Sequence, residues 1–221
     1  MDKVTGIILA AGNSVRYGKE TNKNFEKINR KPVLLYSLEV FLNNKSIDEI
    51  IIVCKKDEQD KLLKIIPSNS KIKITLGGKE RKDSVYNALK IAKNDIVIIH
   101  DGARPLIKNS YINNCLKEIK QYDGCTIGVK AKETIKVVNK NNIVLETTER
   151  KNTYIVQTPQ CFNKNLLKEL HEKNRGNDIT DDCMLLERAG YNIKIIEGDY
   201  TNIKITTKED LDIAKLFINK G

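Results

Sequence analysis

Tryptophan is absent from this 221-residue chain, and aromatic side chains make up only 5% of it. So few rings offer little on which bases could stack, which argues against a single-stranded nucleic-acid binder. No apolar run approaches the roughly 20 residues that a membrane helix needs. Met1-Asp2-Lys3 leads almost at once into a strand-like run, so the chain reads as lacking a signal peptide. Five cysteines stand singly at 54, 115, 125, 161 and 183, with no Cys-x-x-C and no grouping with histidine. They read as buried thiols of a reducing cytosol, not as a disulfide frame or a structural zinc site. Two familiar phosphate-binding patterns are also missing. Gly12 and Gly18 do not form Gly-x-Gly-x-x-Gly, and no Gly-Lys-Ser/Thr occurs, which sets aside a dinucleotide-binding dehydrogenase and a P-loop ATPase.

Charge, by contrast, is plentiful. Charged residues are 31% of the chain against 40% hydrophobic, with a formal net charge of +10 and a pI near 9.2. That composition suits a soluble globular protein of one domain spanning 1–221, long enough to bury a core. The lysines are spread over every segment rather than gathered into a basic stripe. A solvated basic surface follows, whose field also steers polyanionic small substrates inward.

The apolar pattern alternates strand and helix. Residues 4–9, 49–54, 71–76 and 95–100 read as strands, and the Ile/Val runs among them need cover on both faces. Between them, Pro32 opens a helix through Phe41, residues 57–66 form a short amphipathic helix, and Asp83-Ser84-Val85 begins another. Residues 155–162 and 193–197 continue the strands. Helices are expected near 166–170, over 181–189 with Thr180 as its cap, and from about 207 to 218. The predicted fold is α/β: a Rossmann-like, mostly parallel sheet with helices on both faces. Residues 131–153 break the rhythm. Two β-prone but polar runs flank a turn at 139–142, which predicts a hairpin arm projecting from the body. An isolated hairpin is marginal in water, so this one is expected to pack on a partner.

Three strand ends carry the polar chemistry. After the first strand, Ala10-Ala11-Gly12 offers nearly bare backbone N–H groups, followed by the cations Arg16 and Lys23. Gly77-Gly78 precedes a helix start at Ser84, a turn suited to a base or a phosphate. His100-Asp101-Gly102-Ala103-Arg104-Pro105 ends a buried strand, where ligands bind in open α/β sheets. Asp101 there can hold a ribose hydroxyl or a metal bound to phosphates. Arg104 is read as a structural salt bridge, and His100 and His171 as structural too.

In that order along the chain come Ala-Ala-Gly…Arg…Lys, Gly-Gly-x-x-Arg-x-x-Ser-Val, His-Asp-Gly-Ala-Arg-Pro, Thr-Pro-Gln and Asn-Ile-Lys-Ile-Thr-Thr-x-Glu-Asp-Leu. Together they resemble the sugar-phosphate nucleotidyltransferases, and most closely the 2-C-methyl-D-erythritol 4-phosphate cytidylyltransferase family. The resemblance implies CTP contacts from Ala10, Ala11, Gly12, Arg16, Lys23, Gly78, Ser84, Asp101 and Gly102. It implies sugar-phosphate contacts from Thr134, Arg150, Thr158, Thr180 and Lys204, and a homodimer formed through the arm. The chain departs from the family pattern at Ser14, at Asn22 and Asn24 (where Pro and Gln are usual), at Arg30 (Gly) and at Glu133 (Asp).

The implied chemistry needs these residue types. A phosphate monoester is largely dianionic near neutrality, its second pKa being about 6, and so needs no protein base. It does need its repulsion from the triphosphate cancelled. Arg16, Lys23 and Lys204 suit that task, with Mg²⁺ on the CTP phosphates and Asp101 as its protein ligand. Two other readings stand beside this one. A related enzyme would use ribitol 5-phosphate, but such relatives tend to carry Ser-Val where Gly102-Ala103 stands. A non-catalytic nucleic-acid binder would need a contiguous basic face. The expected setting is cytoplasmic, with neither a nucleic acid nor a membrane as partner.

Overall fold

Three parallel Ile/Val-rich strands lie at the centre of the protein. The computed structural model describes residues 3–12, 17, 22–174 and 178–220. In chain order β1 (Val4–Leu9) leads, through the small hairpin of β2 (Lys27–Ile28) and β3 (Lys31–Pro32), to α1 (Val33–Asn43). Then come β4 (Ile47–Cys54), α2 (Gln59–Ile65), β5 (Ile72–Leu76), α3 (Arg81–Ile91), β6 (Ile96–Asp101), α4 (Asn109–Glu118) and β7 (Gly124–Lys130). The arm is β8 (Lys136–Val138) with β9 (Val144–Thr147); β10 (Tyr154–Asn163), α5 (Lys164–Lys173), α6 (Cys183–Arg188), β11 (Ile193–Glu197) and α7 (Lys208–Lys220) complete the chain.

The main sheet has seven strands in the order β11-β7-β10-β6-β1-β4-β5. Only β10 runs against its neighbours, pairing antiparallel with both β6 and β7. Side chains alternate across the sheet with period two. Ile8, Ile50, Ile52 and Ile98 face a core with α1, α2 and α4, while Ile7, Ile51, Val53, Val97 and Ile99 face a second core with α3, α5 and α6. Cover on both faces explains why β1, β4 and β6 read as apolar runs with little alternation. All five cysteines are buried and free. No helix of the described residues is long and apolar enough to cross a membrane.

Two elements lie in 106–129, where the sequence pattern assigns nothing. Helix α4 contains three asparagines, which are poor helix formers, and β7 contains two glycines, which are poor strand formers. Tertiary burial of Tyr111, Ile112 and Cys115 overrides that propensity. A second difference concerns α6. It starts at Cys183 with Asp182 in the cap position, not at Asp181 behind a Thr180 cap. Asp181 Oδ1 accepts from the Met184 N–H at 3.1 Å, so that first-turn donor is satisfied without Thr180, which lies exposed in the preceding loop.

Arg30 also has a structural explanation. It and Asn29 form the two-residue loop between β2 and β3, at φ 67° and 50°. Such a loop asks for left-handed backbone at both positions, where glycine costs least.

Candidate active site

Chain order steps from β1 outward to β4 and β5, then returns to β6 on the other flank of β1. That reversal opens a crevice at the carboxyl ends of β1 and β6, where α/β sheets bind ligands. A cleft of about 400 Å³ lies there, lined among others by Ala11, Gly12, Lys23, Gly78, Ser84, Asp101 and Lys204. Seven of the residues expected from sequence are thus brought together. Arg16 lies outside the described residues. Thr134 and Arg150 are exposed on the arm segment and Thr180 is exposed before α6; none of the three lines this cleft.

Asp101 is the electrostatic centre. Its Oδ2 meets Lys204 Nζ at 2.8 Å and Arg104 Nε at 3.7 Å, and its Oδ1 meets Arg81 Nε at 3.9 Å. Burial alone would raise the carboxyl, but Lys204, Arg81 and Arg104 outweigh it and hold it well below the usual carboxylate range. Arg104 Nη1 also donates to the Asn202 carbonyl at 2.7 Å, which agrees with its structural reading. The same contact docks the 202–205 loop, and with it Lys204, onto the end of β6. Asn202 completes that joint by donating to Gln157 Oε1 and to the Thr158 carbonyl.

Arg81 is the residue that sequence reasoning passed over, although it stands inside the quoted Gly-Gly-x-x-Arg motif. Its Nη1 donates to Asp182 Oδ2 at 2.6 Å, and Asp182 is wholly buried with His171 Nε2 at 3.0 Å from its other oxygen. Arg81 therefore bridges two carboxylates on different elements. Burial would lower its guanidinium, but Asp182 and Asp101 outweigh that and keep it charged.

Several expected contacts turn out to be committed inward. The Ala10 N–H donates to the Val53 carbonyl at 2.8 Å and the Gly102 N–H to the Leu9 carbonyl at 2.9 Å. Neither peptide N–H is open to a phosphate, whereas Ala11 and Gly12 line the cleft. Gly102 is small for packing reasons: a Cβ there would lie 2.8 Å from Asn24 Oδ1. Ser84 Oγ accepts from the Gly78 N–H at 3.1 Å and donates to the Glu80 carbonyl, so it shapes the turn ahead of α3. At Gly78 a Cβ would come within 2.2 Å of Asp83 Cβ, so only glycine fits.

Thr158 is 5% exposed, in a break of the β10 ladder between Val156 and Gln160. Its Oγ1 accepts from the Asp101 N–H at 3.1 Å and lies 2.9 Å from His100 Nδ1. His100 Nε2 is 3.1 Å from the Arg104 carbonyl, which can only accept. The ring is therefore the Nε2–H tautomer, and Thr158 donates to Nδ1. Burial lowers His100 to about 4, in keeping with a neutral ring. The Thr158 hydroxyl is thus spent under the floor of the cleft, where it orients the Asp101 backbone.

The family model for 2-C-methyl-D-erythritol 4-phosphate cytidylyltransferase matches residues 4–220. The chain belongs to that family. Cytidylyltransferases of that name from Clostridium perfringens (strain 13 / Type A) and Clostridium tetani are each 45% identical to it. The first match covers 99% of this chain and all of the relative; the second covers 100% and 92%. Among solved structures, the 4-diphosphocytidyl-2C-methyl-D-erythritol synthase of Anaerococcus prevotii DSM 20548 superposes with a TM-score of 0.89 at 29% identity. That match covers 99% of this chain and 96% of the other. The Francisella tularensis cytidylyltransferase superposes at 0.81 with 32% identity, covering 97% and 99%. The site described above is thus the switch-point crevice of a cytidylyltransferase-family fold, and the α3 turn, the β6 end and the 202–205 loop converge on it.

Proposed function

We propose that the protein transfers a cytidylyl group from CTP to 2-C-methyl-D-erythritol 4-phosphate, with residues 1–221 forming a single nucleotidyltransferase domain. A phosphate oxygen of the monoester attacks the α-phosphorus of CTP. The bond to the bridging oxygen of the β-phosphate breaks, and pyrophosphate leaves with that electron pair. The observation that carries the reading is the Asp101–Lys204 pair at the switch point, which lines one cleft together with Lys23, Ala11 and Gly12. Lys23 and Lys204, with Arg16, neutralise charge on the triphosphate. Asp101 holds Lys204 in place and faces the ribose. Among the described residues the polar contact of Asp101 Oδ1 is the 3.9 Å one to Arg81, so one carboxylate oxygen together with triphosphate oxygens fits a magnesium ion. When bound, that ion withdraws charge from the phosphates. Among the described residues no group of three or more acidic, His or Cys side chains forms a metal cage.

The acceptor half of the site is proposed to need a second copy of the chain. Both arm strands are exposed along their whole length, with Ile143 61% and Leu145 66% open. Thr134 and Arg150 belong to that same segment. An isologous dimer would cover the exposed apolar side chains of the arm and bring both residues to a partner's cleft. The buried free thiols fit a reducing cytoplasm. The decisive experiment follows CTP-dependent pyrophosphate release with methylerythritol phosphate and with ribitol 5-phosphate, with and without added Mg²⁺. Turnover with the first alone is expected, and turnover only with the second would overturn the acceptor assignment.

A further inference from the structure

Lys23 sits in a single turn of 3-10 helix, Lys23–Phe25, and both of its neighbours are asparagines buried in the protein. Asn22 and Asn24 are 6% and 2% exposed, while Lys23 itself lines the cleft. Burying two carboxamides costs free energy unless their groups are paired, so the partners reveal what the pair holds. Asn22 Nδ2 donates to the Ala10 carbonyl at 2.9 Å and to Glu58 Oε2 at 2.7 Å. Asn22 Oδ1 accepts from the Asn24 N–H at 3.0 Å and from Asn24 Nδ2 at 2.9 Å. Asn24 Nδ2 makes a further bond to the same Ala10 carbonyl at 3.2 Å.

The two amide orientations are forced. The Ala10 carbonyl and the Glu58 carboxylate can only accept, so each must face an NH₂ group. Three hydrogen bonds thereby fasten the Lys23 turn to the end of β1 and to the 56–58 turn after β4, and two more lock Asn22 to Asn24 within the turn. Phe25 adds an apolar anchor in the core beneath. Where Pro and Gln are usual in the family, this chain uses two interlocked carboxamides.

We infer that Asn22 and Asn24 are positioning residues for Lys23: their shared clamp on the Ala10 carbonyl fixes the Lys23 ammonium relative to the β1 loop on which the triphosphate lies. The inference rests on the role given to Lys23 above. A preorganised cation contributes to the transition state only where it already points at the developing charge, and a misplacement of 1 Å can cost about 10²-fold. The clamp ties the cation and the phosphate loop to one carbonyl, so the two move as a unit. Asn22, at φ −78° and ψ 119°, lies in proline's own range. An Asn22→Pro variant therefore keeps the backbone while removing all four bonds of the Asn22 side chain.

The test is a double-mutant cycle on the full chain, measuring kcat and KM with CTP and methylerythritol phosphate, CTP binding by calorimetry, and thermal midpoints. Asn22→Ala and Asn24→Ala should each lower kcat by about 10-fold or more, with the CTP Kd changed less than about threefold. In a Lys23→Ala background the same changes should cost less than about twofold, because the group they position is gone. Asn22→Pro should stay as slow as Asn22→Ala, because the clamp is missing from both; recovery of the wild-type rate would overturn the inference by showing that backbone stiffness, not the clamp, holds Lys23. Losses of equal size with and without Lys23 would overturn the inference, since a general structural role produces that additivity. So would wild-type kcat in both asparagine variants while Lys23→Ala is impaired. Full activity in Lys23→Ala itself would instead sink the role assigned to Lys23, a distinguishable failure.

Discussion

The β6 end and the arm are built on opposite terms. Around Asp101 four elements contribute groups that are buried or half-buried and paired: Arg81 from α3, Arg104 after β6, Thr158 from β10 and Lys204 from the last loop. Along the arm, the β8 and β9 side chains are exposed, and among the described residues the segment is tied to the body at its base. There Ala131 N–H donates to the Thr153 carbonyl, and the Tyr200 hydroxyl donates to the Lys130 carbonyl. On the proposed reading, the nucleotide half of the site is preorganised within one chain, while the acceptor half is assembled when a second copy covers the arm. Preorganised charge acts on the chemical step, whereas a surface assembled on docking acts on substrate affinity and subunit association.

That contrast can be broken most forcefully at Asp101. An Asp101→Asn change leaves Lys204, Arg81 and Arg104 without their shared anion, and kcat/KM should fall by about 10²-fold or more. Steady-state kinetics that stay near wild type would mean the charged centre is not part of the chemistry.

Arm residues should behave otherwise. Arg150→Ala should raise KM for the sugar phosphate by about 10-fold while CTP binding stays unchanged, because the lost contact is on the acceptor side only. Replacing residues 136–147 by a short turn should leave a CTP-binding monomer in analytical ultracentrifugation; a persistent dimer would end the shared-site reading.

Thr158→Val sharpens the division. The family resemblance places Thr158 among sugar-phosphate contacts, but its hydroxyl faces inward to Asp101 and His100. The variant should lower kcat by about 10-fold through a displaced Asp101, consistent with the 1–3 kcal/mol cost of an orphaned buried N–H. A pure KM effect for the sugar phosphate would restore the direct-contact role.

Smaller effects concern stability. His100 is held at about 4 by burial, below its ordinary 6.5. A depressed base is stabilised in its neutral form, so its contribution is full above about pH 6.5 and declines as pH falls toward 4, by up to about 1.4 kcal/mol per unit. In urea titrations the stability gap between wild type and His100→Asn should narrow over that window; a constant gap would contradict the buried neutral ring. The smallest change, Arg30→Gly, relieves a left-handed residue in the β2–β3 turn. It should raise stability by roughly 0.5–1 kcal/mol, read from the denaturation midpoint.

Much of this organisation was legible from the chain alone. Apolar runs determined β1, β4 and β6 because both of their faces are covered, and no polar alternation was needed to mark them. Pro32 and the 139–142 turn marked α1 and the arm through local backbone chemistry. The strand-end motifs pointed to Lys23 and Asp101, residue types that phosphate chemistry calls for, whereas Lys204 was marked only by the family resemblance. Tertiary structure decided the rest. It alone turned Arg81 toward two carboxylates more than eighty residues apart in sequence, and committed the Ala10 and Gly102 peptide groups to neighbouring strands. It inserted β10 antiparallel between β7 and β6 and folded α4 and β7 against weak local propensity. Those outcomes depend on which surfaces meet across the sheet, and pairing between distant segments leaves no periodic mark in the sequence.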